Sequence, residues 1–278
     1  MNNQKIWFIT GASKGMGLAL VKRLLTTGHQ VAATTRDTAA LLDSLQAEST
    51  NNLLALTVDL TSDQSVNDAI GQAIDHFGRL DVVVNNAGYC LVGSMEEMTD
   101  AEFRQTVDVN LFGPVNVMRA TTPYFRAQGS GHFINIASNA GYVGIANAAS
   151  YNAAKFALIG ISEALAEETK PFGIKVTVVA PGQFRTNFMD QGSMTFAKNK
   201  IDAYGLDKAE AMWRSYSGTQ AGDPEKLVSV LMAIADSPTP PLHLLLGSDT
   251  YQLVTEQREK EKGEIEAWKQ VTLSTDFD

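Results

Sequence analysis

At 278 residues, with 44% hydrophobic and 19% charged residues, the chain has the composition of a packed globular protein and not of a disordered segment. A formal net charge of −9 argues against a nucleic-acid surface, which would carry a basic face. Cys90 is the single cysteine, so no internal disulfide can form, in agreement with a reducing compartment.

Residues 1–9 turn strand-like too early for a signal peptide. No apolar run approaches the roughly 20 residues that span a bilayer, so a cytoplasmic location is expected. The first strand is read at 5–10, followed by glycines and then by 18–25 with helical apolar spacing. Gly28 closes that helix. Further strands are read at 31–35, 53–58, 80–84, 133–137 and 175–179, and the last at 243–246. Strands alternating with helices at this spacing imply βαβ units and a parallel sheet covered on both faces. Uninterrupted apolar runs such as Val82-Val83-Val84 fit burial on both sides. No internal repeat or low-complexity linker divides the chain, so one α/β domain with a doubly wound parallel sheet is expected over 1–278.

Two regions break the rhythm. Residues 186–221 form a long insertion in which Gly192, Gly205 and Gly218 alternate with Phe188, Met189, Met194, Phe196, Met212, Trp213 and Tyr216. The stretch 187–221 reads as a substrate lid; covering apolar core or a subunit contact is the alternative. Residues 250–269 read as a charged helix, solvated or at an interface. His29, His76, His132 and His243 are scattered without ligand spacing, so no metal site is expected.

The turn Thr10-Gly11-Ala12-Ser13-Lys14-Gly15-Met16-Gly17 joins the first strand to the first helix. Glycines there let the backbone approach a pyrophosphate, which the helix N-terminus then holds. The end of the second strand, Thr34-Thr35-Arg36, has no acid to bind a ribose 2′-hydroxyl. Arg36 and Lys14 favour the 2′-phosphate of NADP, and Asp37 is expected to start the next helix as its N-cap. Asp59-Leu60 follows the third strand, where the carboxylate can meet an adenine amino group or cap a helix through Thr61-Ser62-Asp63. Asn85-Asn86-Ala87-Gly88 follows the fourth strand, at the sheet edge where ligands bind.

Tyr151 and Lys155 share a helix face at i and i+4. A cation beside a phenol moves its pKa from about 10 toward the working range. Tyr204 and Lys208 have the same spacing without supporting context. Ser138 ends the strand before Tyr151 and is placed to bond a substrate oxygen. A hydrolase reading fails because no G-x-S-x-G elbow surrounds Ser138.

The T-G-x-x-x-G-x-G turn, Asn85-Asn86-Ala87-Gly88, Ser138 with Tyr151 thirteen residues on, Tyr-x-x-x-Lys and Pro181-Gly182 occur in this order. Together they resemble the short form of the short-chain dehydrogenase/reductase family, over nearly the whole chain. The resemblance implies a Rossmann-type fold and NADP(H) as cofactor. Tyr151 would be the general acid–base, and Lys155 would lower its pKa and bind the nicotinamide ribose. Ser138 would orient the carbonyl, and Asn110 would support a water chain to Lys155. The implied cofactor contacts are Gly11, Ser13, Lys14, Gly15, Met16 and Gly17 of the turn, Thr35 and Arg36 after the second strand, and Asp59 and Leu60 after the third. Asn86, Ala87 and Gly88 follow, then Pro181 and Gly182, with Thr186 holding the carboxamide. A homodimer or homotetramer with the Tyr151 helix at an interface is implied as well.

Residues expected near the substrate are Tyr89, Cys90, Leu91, Tyr142, Val143, Gln183 and Phe184, with the lid aromatics and methionines. No basic cluster occurs among them, so the expected substrate is a medium-sized, largely apolar ketone, aldehyde or secondary alcohol. The expected activity is NADPH-dependent carbonyl reduction. A 3-oxoacyl-thioester reductase and a non-catalytic NADP-sensing protein on the same fold are the alternatives.

Overall fold

Four consecutive apolar residues form the first strand, β1 (Ile6–Ile9), and all four are buried, which requires protein on both faces. In the computed structural model, which describes residues 4–46, 50–189 and 193–277, Ile6 and Phe8 enter one apolar core while Trp7 and Ile9 enter another. This is the period-two alternation of a strand. The remaining strands are β2 (Gln30–Thr35), β3 (Leu53–Thr57), β4 (Val82–Asn85), β5 (Cys90–Val92), β6 (Gly131–Ile136), β7 (Ile174–Pro181), β8 (Met194–Phe196) and β9 (His243–Leu246). Seven of them make one sheet in the order β3-β2-β1-β4-β6-β7-β9. Every neighbouring pair is parallel. These are the seven strands expected from the sequence, and the doubly wound α/β architecture is the expected one.

Helices α1 (Gly15–Thr26), α2 (Thr38–Leu45), α3 (Asp63–Phe77), α4 (Asp100–Val107), α5 (Gly113–Gln128) and α6 (Ala149–Thr169) follow in chain order. Helix α7 (Leu206–Ser215) lies in the insertion, and α8 (Pro224–Asp236), α9 (Ser248–Ala267) and α10 (Lys269–Leu273) complete the chain. One sheet face is covered through Leu20 and Leu24 of α1, Leu41 of α2 and Leu227 and Leu231 of α8. The other is covered through Val66 and Ile70 of α3, Val117 and Phe125 of α5 and Leu158 of α6. No helix among the described residues is long and apolar enough to cross a membrane.

The insertion departs from its expected form. Its β8 pairs in parallel with β5 as a second, two-stranded sheet. Neither three-residue strand has a periodicity to read, and the partners lie about 100 residues apart in the chain. Residues 190–192 of the expected lid, including Gly192, lie outside the described residues.

One core residue sets a pH dependence. His132 of β6 is buried, and Thr177 donates its hydroxyl to the Pro241 carbonyl at 2.8 Å. The His132 Nε2–H therefore donates to Thr177 Oγ1 at 2.9 Å, leaving Nδ1 buried without a partner. Burial, helped by Lys175 and Lys5, pushes the His132 pKa down to about 3. The unfolded chain protonates this histidine near pH 6.5. Between about 6.5 and 3 the unfolded state binds the extra proton, so stability falls as pH falls, by up to about 1.4 kcal/mol per pH unit. Urea unfolding of the His132→Gln variant is expected to show a shallower loss of stability across this window than the wild type. An equal slope in both would remove His132 from the acid response.

Candidate active site

Ligands bind an open parallel sheet at its carboxyl edge, where neighbouring strands depart in opposite directions. Here that point lies between β1 and β4. The glycine turn leaves β1 with Gly11 at φ +67, and a Cβ on Gly11 would stand 2.8 Å from the Ala87 Cα. Only glycine permits both the dihedral and the approach. Asn86 donates its side-chain amide to the carbonyls of Thr10 at 2.9 Å and Gly11 at 3.1 Å. Thr10 Oγ1 accepts the backbone N–H groups of Asn86 and Ala87, both at 3.0 Å. Asn86, expected at the cofactor, thus spends its side chain holding the turn.

Helix α1 begins after Lys14 with no side-chain cap and no acid in its first turn. Backbone N–H groups and the positive dipole end are left for an anion. Ser13, Lys14, Gly15, Arg185 and Thr186 line one groove at this point. The donor set and the glycine cradle fit the pyrophosphate of a dinucleotide. Arg36 is exposed at the end of β2, Thr35 Oγ1 accepts the Asp37 N–H at 3.2 Å, and Asp37 caps α2 by accepting the Ala40 N–H at 3.1 Å. Asp37 is therefore committed to the helix, as expected.

The residues after the third strand also make local contacts. Asp59 Oδ1 accepts from the Thr61 N–H and hydroxyl at 2.9 and 2.7 Å, while Ser62 is the residue that caps α3. Leu60 packs its side chain against the core, and its carbonyl accepts from Asn116 at 3.0 Å. Met16 likewise packs against the core under α1. Both side chains are partly buried there.

Tyr151 is the third residue of α6, and Lys155 lies one turn on; both are buried. Lys155 donates to the Ile136 carbonyl at 2.8 Å, and its Nζ stands 5.5 Å from the Tyr151 ring centroid. Ser138, two residues past β6, donates its hydroxyl to Asn139 Oδ1 at 3.1 Å, accepts the Ala140 N–H at 3.2 Å and lies near enough to the Tyr151 hydroxyl to act on it. Asn110 sits in a π-helical turn (Asp108–Phe112) between α4 and α5, fully buried. π-turns of this kind insert one residue and re-aim side chains. Asn110 donates to the Thr106 and Tyr89 carbonyls, both at 2.9 Å, and its Oδ1 abuts Gly88 beside the Lys155 ammonium. Ser138, Tyr151, Lys155 and Asn110 therefore converge at one point of the sheet edge. Tyr204 and Lys208 fall on separate exposed elements, with the Tyr204 hydroxyl on Glu96.

The electrostatics differ from the sequence expectation. Burial raises the Tyr151 pKa well above the ordinary phenol value, and the Ser138 hydrogen bond opposes this. Lys155 is itself pushed down by burial to about 8, and Cys90 is pushed up to about 12. The expected lowering of the phenol by Lys155 is thus not met: desolvation dominates, and the ammonium is turned to the Ile136 carbonyl. The phenol therefore carries its proton at neutral pH.

An apolar wall faces Tyr151. Cys90, Leu91, Met189 and Met194 are buried in one cluster with Tyr89, Phe188 and Trp213 packed against it, and the Phe188 ring centroid is 6.5 Å from that of Tyr151. Two residues expected here lie elsewhere. Tyr142 packs against Ile159 and Val178 and hydrogen-bonds His243 Nδ1 at 2.8 Å, and Phe184 packs under α8.

Asp249, the second residue of α9, was not legible in the sequence. Its carboxylate accepts the Gln183 N–H at 2.8 Å and fills the space a Cβ on Gly182 would need. In sequence it reads as a helix-start acid; only the pairing of β7 with β9 brings it to the loop that carries Thr186. Gly182→Ala and Asp249→Ala are each expected to destabilise by about 1–2 kcal/mol. In the double variant the losses should fall short of additivity, because both break one contact. Fully additive unfolding free energies would show the contact to be without weight.

The family model for short chain dehydrogenases matches residues 5–195. An oxidoreductase of Botryotinia fuckeliana, BOA17, is 34% identical over 274 residues, covering 98% of this chain and 99% of its own. A 3-ketodihydrosphingosine reductase of Bacteroides thetaiotaomicron is 36% identical over 248 residues, covering 87% and 88%. The crystal structure of a short-chain dehydrogenase from Streptomyces avermitilis superposes with a TM-score of 0.89 at 35% identity, covering 98% and 100%. Solved proteins of this fold hold either nicotinamide cofactor. A Burkholderia phymatum structure holds NAD (20% identity, TM-score 0.82, covering 94% and 95%), and a metagenomic oxidoreductase holds NADP (25%, 0.70, covering 88% and 98%). With its parallel sheet, glycine turn and convergent Ser138, Tyr151 and Lys155, this chain is an oxidoreductase of the short-chain dehydrogenase/reductase family.

Proposed function

We propose that the protein is an NADPH-dependent carbonyl reductase, equally a secondary-alcohol dehydrogenase, acting on a medium-sized and largely apolar ketone, aldehyde or alcohol. The observation that carries this reading is the buried Tyr151 facing an apolar wall, with Lys155 one turn on and Ser138 beside it at the sheet edge. Bound nicotinamide would supply or take the hydride. Ser138 orients the substrate oxygen, and Tyr151 passes its Oη proton to that oxygen. Lys155 keeps a cation beside the phenol, which favours the phenolate once the proton has left. Asn110 holds the π-turn and the Tyr89 backbone, so that the floor of the site keeps its shape. The wall formed by Cys90, Leu91, Met189 and Met194 excludes water and favours apolar substrates.

NADP is favoured by Lys14, which lines the groove, and by Arg36, exposed at the end of β2, with Asp37 committed to its helix. The 3-ketodihydrosphingosine reductase relative is named for a ketone on a long apolar chain, which suits the same class. The part of the 187–221 segment that packs over Tyr151, including Phe188, Met189 and Met194, serves as the pocket cover. The rival reading, a protein that senses NADP without turnover, is disfavoured by the presence of the whole Ser138–Tyr151–Lys155 set.

Tyr151→Phe is expected to lose about 10²–10⁴-fold in turnover while NADPH binding, read by fluorescence titration, stays within about twofold. Full activity in that variant would sink the scheme. Arg36→Ala is expected to lower kcat/KM with NADPH by about 10–100-fold, one charge-assisted hydrogen bond, with NADH little affected. Greater efficiency with NADH in the wild type would overturn the cofactor assignment. An NADPH-oxidation screen over steroid, aromatic, aliphatic and acyl-thioester ketones separates carbonyl reduction from 3-oxoacyl-thioester reduction.

A further inference from the structure

Glu97 is a carboxylate with 0% exposure that has no part in the site described above. Acids are almost never fully buried unless hydrogen bonds replace the lost water. Glu97 Oε2 accepts the Ser94 N–H at 2.9 Å, and Oε1 accepts the Ile201 N–H at 2.9 Å. Ser94 is local, but Ile201 lies 104 residues along the chain, inside the insertion. Burial pushes the Glu97 pKa up, yet the N–H donors of Ile201 and Ser94 outweigh it and hold the carboxyl below the usual range. The side chain is therefore ionised and committed at neutral pH.

Neighbouring contacts run in the same direction. Glu102 closes a capping box on α4 with one oxygen and accepts the Lys198 N–H with the other at 3.1 Å. Glu96 accepts the Tyr204 hydroxyl at 2.8 Å. The β5–β8 ladder continues as Ala197 donates to the Val92 carbonyl at 2.8 Å. Residues 193–204 are thus sewn along residues 90–102. The same strip places Met194 and Ala197 in the apolar cluster that holds Cys90, Met189 and Tyr151.

We propose that Glu97 is a positioning residue that fixes residues 193–204 as a permanent wall of the substrate pocket, not as a lid that opens at each turnover. The wall sets pocket width, so Glu97 acts on substrate affinity through the strip it holds and never touches the reacting atoms. This inference rests on the carbonyl-reductase reading only for its kinetic consequence.

Glu97→Gln keeps the shape but offers one acceptor oxygen where two donors wait, and its amide N–H₂ must face one of them. Hydrogen exchange followed by mass spectrometry on the full chain is expected to show amides in 193–204 exchanging about tenfold or more faster than in the wild type, the loss of one charge-assisted hydrogen bond. With NADPH and cyclohexanone as the probe, KM for the ketone should rise about tenfold on the same basis, with kcat and the NADPH KM nearly unchanged. Unchanged exchange across 193–204 overturns the proposal, as does an equal loss of kcat and NADPH affinity. Should Glu97→Gln not fold, Glu102→Gln removes the parallel Lys198 contact and is expected to give the same split with smaller size; wild-type exchange in that variant also counts against the wall. Because exchange is read without turnover, a protein inert toward every ketone but with accelerated exchange in Glu97→Gln refutes the reductase reading alone. An active variant with unchanged exchange refutes the wall alone.

Discussion

A cation taken out of water has to be met by protein oxygen, and the buried Lys155 ammonium meets the Ile136 carbonyl. That single bond ties helix α6 to the carboxyl end of β6. It thereby fixes Tyr151, one turn earlier on the helix, against Ser138, two residues beyond the strand. Everything else at the sheet edge is fitted around this joint. Gly88 leaves room for the ammonium and for the Asn110 carboxamide, and the π-turn between α4 and α5 brings Asn110 to it. If the sheet were not parallel at β4, β6 and β7, their carboxyl ends would not share an edge, and the joint could not form.

Polar side chains around this joint divide into those that face the pocket and those that hold backbone. Asn86 ties the glycine turn to β4, Asp249 supports the loop after β7, and Glu97 fastens the insertion. Each satisfies a backbone group that would otherwise lack a partner. Such residues are easily mistaken for ligand contacts, because they stand beside the site and carry the right chemistry. Their hydrogen-bond partners, rather than their type, separate them from Ser138 and Tyr151.

Burial also decides the protonation states. In an apolar surround the neutral form of each group gains, so the Tyr151 phenol is raised and the Lys155 ammonium lowered toward pH 8. Attraction between a cation and a nascent phenolate works against this, and counts only once the phenol has begun to lose its proton. The pair is thus poised as donor and supporting cation, which suits reduction of a carbonyl at least as well as oxidation of an alcohol.

Much of this was legible in the chain itself. Strand alternation, the glycine turn, the Ser138–Tyr151–Lys155 order and the helix-capping role of Asp37 are local patterns, set by backbone sterics and short-range hydrogen bonds, and the seven-stranded sheet follows from them. Tertiary structure alone decided the β5–β8 pairing, the arrival of Asp249 under Gly182, the inward turn of Leu60, and the departure of Tyr142 from the pocket. It also set burial of the phenol against the expected pull of Lys155. These are contacts between residues from 56 to more than 100 positions apart, or consequences of how much water is excluded. Neither is encoded in any local window of sequence, because each depends on which surfaces the finished sheet brings together.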